Sequence, residues 1–169
     1  MPTLRIETEI LAPIELCFDL ARDVETHLAT TEHTQEQVVA GKSQGLLELG
    51  DQITFEAVHF GVRQKLSSKI VEYDRPHRFT DQMTNGAFSS LKHVHEFDVS
   101  GNGTLMRDIL EWESPFGFLG IVADRLAIEK HMRDFLLRQN KELKRIAETN
   151  ASLASLAAIR GRASTSIYY

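Results

Sequence analysis

The chain has 169 residues, 42% of them hydrophobic and 25% charged, which suits one globular domain with a core of its own. A formal net charge of -5 and a pI near 5.8 exclude the basic footprint of a nucleic-acid binder. The single cysteine, Cys17, excludes an internal disulfide, and no apolar run approaches the roughly 20 residues a bilayer span needs.

The N-terminus lacks the basic-then-apolar order of a signal peptide, so a cytoplasmic setting is expected, without integral membrane association. Leu4 to Ile10 alternates apolar and polar residues, the mark of a half-buried strand. Pro13 suits a first helical turn, and Ile14, Cys17, Phe18 and Ala21 recur at helical spacing, which predicts a short helix over 13–21. Asp23 is placed to cap a second short helix reaching about residue 30. From residue 35 the period becomes two, and strands are predicted over 37–40, 51–60, 62–73, 78–84, 88–99 and 104–114. The connections between them are short, so neighbours must pair antiparallel. Asn85-Gly86 and Asn102-Gly103 supply residues that accept positive φ in tight turns.

After Pro115 a helix is predicted from Phe118 to Glu148. Leu119, Val122, Leu126, Met132, Phe135, Leu136, Leu143 and Ile146 form its apolar stripe, with Lys130, Arg133, Arg138, Lys141 and Lys144 largely off it. The domain is expected to occupy 1–149. Residues 150–169 read as a C-terminal tail, weakly helical and then mobile.

One strand, two short helices, six more strands and a long terminal helix make an α+β order. A curved seven-stranded antiparallel sheet can wrap around the long helix and leave a gap where the twisted sheet bends away from the rod. Ala12-Pro13-Ile14-Glu15 leads into the first helix. Further features are Gly61-Val62-Arg63-Gln64, Pro76 to Met83, Gly86-Ala87-Phe88, His93 to Phe97, Gly103 to Asp108 and Pro115-Phe116-Gly117. With these the chain, over residues 3 to about 148, resembles the START-like or SRPBCC helix-grip superfamily. That superfamily includes the birch pollen allergen, polyketide aromatase/cyclases and lipid-transfer domains. Within it, the chain looks like a bacterial group labelled polyketide cyclase/dehydrase-like or "cell division inhibitor". The resemblance implies a helix-grip fold and an internal pocket for a small hydrophobic molecule, a lipid, polyketide-like compound or isoprenoid. It implies no particular reaction.

Strand parity selects the inward side chains. It places Phe55 and His59 inside on one strand, Phe79, Asp81 and Met83 on another, and Leu91, His93, His95 and Phe97 on a third. Met106, Asp108, Leu110 and Trp112 follow on the last strand, and Met132 and Phe135 face them from the long helix. Phe116 and Phe118, beside two glycines, form either a packed elbow or a gate to the cavity.

Three readings of the polar members stay open. His93 with Asp108 and His95 with Asp81 can be paired core groups that hold strand register. They can orient a ligand's polar end. Alternatively, His93 or His95 with Asp108 can act as general acid or base, as in an aromatase/cyclase. His93-x-His95 can converge on a metal, but no third ligand stands at diagnostic spacing, so no metal and no cofactor is expected. A protein-interaction module with a collapsed cavity is the remaining alternative, and a homodimer is left open.

Overall fold

A computed structural model describes residues 2–59, 61–113 and 121–165. Strand β1 (Thr3–Ile10) leads into α1 (Ile14–Ala21) and α2 (Val24–Thr30), followed by a short 3-10 turn at Glu32–Thr34. Strands β2 (Gln37–Gly41), β3 (Gln52–His59), β4 (Val62–Asp74), β5 (Arg78–Asn85), β6 (Ser90–Ser100) and β7 (Gly103–Glu113) come next, and α3 (Ile121–Thr165) closes the chain. The strands form one curved antiparallel sheet in the order β1-β7-β6-β5-β4-β3-β2. The predicted fold, a helix-grip α+β arrangement, is therefore what the chain adopts.

Local chemistry explains the short helices. Pro13 stands just before α1 rather than inside it. Asp23 caps α2 as expected: its carboxylate accepts from the Thr26 backbone N–H at 2.9 Å and from the Thr26 hydroxyl at 2.7 Å. Cys17 is fully buried in the core.

Three expected details differ. At the β6–β7 turn it is Gly101, with φ of 56°, that takes the left-handed conformation. Gly103 answers to a different constraint: a Cβ there would lie 2.2 Å from the carbonyl oxygen of Ile10. The β5–β6 connection is longer than a two-residue hairpin, because β6 begins at Ser90 rather than Phe88.

The third difference is the end of α3. The helix does not weaken near residue 148 but runs unbroken to Thr165. The Thr149 and Ser152 hydroxyls donate to the Arg145 and Glu148 carbonyls at 2.7 and 2.8 Å, which satisfies these polar residues within the helix. The Ala- and Leu-rich stretch after them favours continued helix. Residues 152–158 are exposed, so this part of α3 runs beyond the core.

Two packed regions hold α3 against the sheet. Leu143 and Ala147 sit with Ile10, Phe18, Phe79, Phe97 and Met106, while Leu136 joins Leu4, Ile6, Leu91, Leu110 and Trp112. Phe18 anchors the first region edge-on to Tyr73, Phe79 and Phe97, each ring centroid 5.5 Å away. Glu148 accepts from the Leu11 backbone N–H at 2.9 Å and ties the helix to the β1–α1 connection. Bulges at Val38/Ala40, Ser67/Ser68 and Ile70/Glu72 bend the sheet where it leaves the helix. No described helix is long and apolar enough to cross a membrane.

Candidate functional site: a cavity between sheet and helix

Where the sheet bends away from α3, a cavity of about 550 Å³ opens. Its walls come from β3 to β7, from α2 and from α3. On α3, Ile128, Met132, Phe135 and Gln139 follow one another at four-, three- and four-residue steps and form one wall. The neighbouring stripe, Leu136, Asn140, Leu143 and Ala147, is packed against the sheet.

The structure brings Phe55, His59, Phe79, Asp81, Leu91, His93, His95, Leu110, Met132 and Phe135 to the cavity wall. Five expected lining residues lie elsewhere. Phe97 and Trp112 are in the packed core, at 1% and 2% exposure, and Met106 is beside Phe97. Met83 packs at the edge of the Trp112 region, and Asp108 lies behind the two histidines. Parity picks the inner face correctly, but that face is longer than the cavity, and α1 and α3 fill its remainder. Phe116 and Phe118 lie outside the described residues.

Among the polar side chains of the wall, two groups cluster. In the first, strand pairing sets Asp81 opposite His93 and His95 opposite Asp108. Asp108 Oδ1 lies 3.0 Å from His93 Nε2 and 2.8 Å from His95 Nδ1. Asp81 Oδ2 lies 3.4 Å from His95 Nε2 and 3.9 Å from His93 Nδ1. The Asn140 amide donates to Asp108 Oδ2 at 2.6 Å and to the Thr8 hydroxyl at 3.2 Å. The three residues named as catalytic candidates, His93, His95 and Asp108, are thus in mutual contact.

Burial alone would discharge His95, but Asp108 and Asp81 outweigh it and raise its pKa to about 9. Burial likewise opposes the charge on Asp108, and contact with His93 and His95 more than reverses this, holding the carboxyl far below its usual range. Asp81 is also lowered: burial works against its charge, and His95 and His93 prevail.

Of the second group, strand parity had placed only His59 inside. His59 Nδ1 is 3.0 Å from His131 Nε2, one ring donating to the other according to tautomer. Burial and the neighbouring His131 push the His59 pKa down, and burial lowers His131. Nearby, His27 Nε2 stands 3.4 Å from Glu36 Oε2, and His27 Nδ1 is 3.2 Å from Gln139 Nε2. Burial disfavours the Glu36 carboxylate, yet His27 brings its pKa below the ordinary value. His27 and His131 carried a helical-spacing signal, three residues after Val24 and three after Ile128. Glu36, in the loop before β2, carried none.

Arg22 also lines the cavity. Its guanidinium donates to Asp19, Glu48 and the Leu47 carbonyl, and its side chain is 5% exposed. Asp19 also accepts two bonds from Arg75 in the β4–β5 turn, at 2.7 and 3.1 Å. The hydrogen bonds from Arg75, and then Arg22, outweigh partial burial and hold the Asp19 carboxyl below its usual range. A depressed carboxylate pKa stabilises the fold above the unfolded value, and this contribution vanishes as pH falls through the folded one. The melting-midpoint gap between wild type and Asp19→Asn should be a few degrees at neutral pH and narrow steadily as pH falls below the ordinary aspartate value of about 3.9. A gap that held or widened in acid would contradict this assignment.

No family profile matches the sequence, and no curated protein matches it. Solved structures do match the fold. TTHA0849 from Thermus thermophilus is 21% identical with a TM-score of 0.67, covering 84% of this chain and 97% of that one. A START superfamily protein from Mycobacterium smegmatis is 14% identical with a TM-score of 0.67, covering 87% and 97%. Ginseng major latex-like protein 151 from Panax ginseng is 16% identical with a TM-score of 0.63, covering 86% and 97%. At these identities the likeness establishes the START-like helix-grip fold.

Proposed function

We propose that this START-like helix-grip chain binds or carries a small, mostly apolar ligand with a polar end in the cavity between α3 and the sheet. The cavity itself carries the proposal. At about 550 Å³ it falls within the range of small-molecule sites, and most of its lining surface is apolar, with polar side chains set among it. Phe55, Leu91, Leu110, Met132 and Phe135 offer apolar area, and the two histidine groups offer polar anchors. A lipid, a polyketide-like aromatic and an isoprenoid all fit that chemistry. An interaction module with a collapsed cavity has less support, since the space is open. The binding unit is residues 1–149, with the later part of α3 as an extension beyond it.

Ser68 provides the test. It lies on the cavity wall, 6% exposed, so a larger side chain there enters the empty space. Ser68→Phe is expected to lower the affinity for an apolar fluorescent probe about tenfold or more, while the melting midpoint stays near wild type. Native mass spectrometry of wild type should show a co-purified apolar molecule that the variant lacks. A protein that takes up no apolar probe, or a variant that binds it equally well, would overturn the proposal.

A further inference from the structure

We propose that Asp81, His93 and His95 form a binding site for one divalent transition-metal ion of the zinc class, set in the cavity wall with Asp108 as its outer carboxylate. The third ligand missing from the sequence spacing comes from across the sheet, where β5 pairs Asp81 with His93 of β6. One donor atom from each of the three residues lies within 4.8 Å of the others. Tetrahedral zinc, with ligand bonds of about 2.0–2.2 Å, needs donors about 3.3–3.5 Å apart. Asp81 Oδ2 and His95 Nε2 are 3.4 Å apart, and His93 Nδ1 is 3.9 Å from Asp81 Oδ2, so both spans to the carboxylate lie at or within about half an ångström of that spacing. A charge-assisted hydrogen bond would instead draw the atoms to about 2.7–2.9 Å.

Orientation is the second, independent observation. Asp108 engages the far nitrogen of each ring, His93 Nε2 and His95 Nδ1. That leaves His93 Nδ1 and His95 Nε2 turned toward Asp81. A carboxylate behind metal-binding histidines fixes ring position and tautomer in just this way. Asn140 and Thr8 in turn hold Asp108.

Burial grades accordingly. The Asp108 side chain is 2% exposed and sealed behind the rings, whereas Asp81, His93 and His95 reach the cavity. Charge balances as well: two carboxylates neutralise a divalent ion between neutral imidazoles, as an apolar setting demands. A remaining coordination position would open to the cavity, within reach of a water or a ligand oxygen.

Metal-free protein, dialysed against chelator, is titrated with cobalt(II) chloride alone and then with zinc chloride. One equivalent of cobalt should bind, develop the visible absorption of nitrogen- and oxygen-coordinated Co²⁺, and be displaced by zinc. Asp81→Asn and His95→Gln should abolish the absorption, and Asp108→Asn should weaken binding about 10–100-fold. His77→Gln, in the exposed β4–β5 turn, should change nothing. Circular dichroism checks that each variant is folded. Should His95→Gln not fold, Asp81→Asn and the anomalous signal from zinc-loaded wild-type crystals decide the matter. No saturable uptake into the millimolar range, uptake untouched by Asp81→Asn, or an ion located at His59 and His131 would each overturn the site. Apolar-probe binding by the metal-free protein is read separately, so the metal site and the ligand cavity succeed or fail independently.

Discussion

Replacing Asp108 by alanine is expected to cost about 3–5 kcal/mol of stability, among the largest losses open to a single change in this chain. The carboxylate is essentially inaccessible, and three side chains depend on it: His93, His95 and Asn140. Without it, His95 keeps one carboxylate, Asp81, at 3.4 Å, and His93 Nε2 loses the partner at 3.0 Å. Asn140 would have only the longer bond to Thr8. A buried charge and two buried donors would then lack full compensation, which explains why removing one partner costs more than the intact cluster contributes. Asp108→Asn preserves volume and an acceptor and should lose distinctly less. Urea unfolding followed by circular dichroism measures both. Equal stabilities for wild type and Asp108→Ala would show that the cluster does not hold the strands together.

The second large effect belongs to Phe18. Phe18→Ala should destabilise the fold by about 3–5 kcal/mol, because a fully buried aromatic is removed from a rigid setting. Its ring contacts Tyr73 of β4, Phe79 of β5 and Phe97 of β6 and so joins α1 to three strands. Collapse into the vacated space would require those strands to move together. Phe18→Leu, which retains much of the apolar volume, should recover a large part of the loss in thermal melts. A small loss for Phe18→Ala would mean that α1 contributes little to packing the inner face of the sheet.

These two residues act at different distances from the cavity. Phe18 lies in the packed core, and Phe79 is shared: it touches Phe18 on one side and stacks on His95 at 4.3 Å on the other. The wall of the cavity is therefore continuous with the core. The polar cluster is held by packed aromatic side chains on one flank and by Asn140 of α3 on the other.

Much of this was present in the chain as written. Alternation with period two, short turns and one long apolar stripe determined seven antiparallel strands and a terminal helix, because those periods are properties of backbone geometry and need no partner to be read. Asp23 as a cap and the common face of His93 and His95 were determined in the same local way. The helix continues past the end expected near residue 148 for a local reason too, since the small polar residues there include Thr149 and Ser152, whose hydroxyls bond back to the helix's own carbonyls.

What tertiary structure alone decided was which inward residues meet empty space. Phe97, Met106 and Trp112 share the inner face with His95 and Leu110, yet α1 and α3 cover the former while the sheet curves away from the latter. It also decided the partners of the histidines. Asp108 serves both rings and Asp81 approaches both, whereas reading each strand by itself suggests two separate pairs. Strand register and sheet curvature arise from the packing of the whole chain, so no single segment contains them.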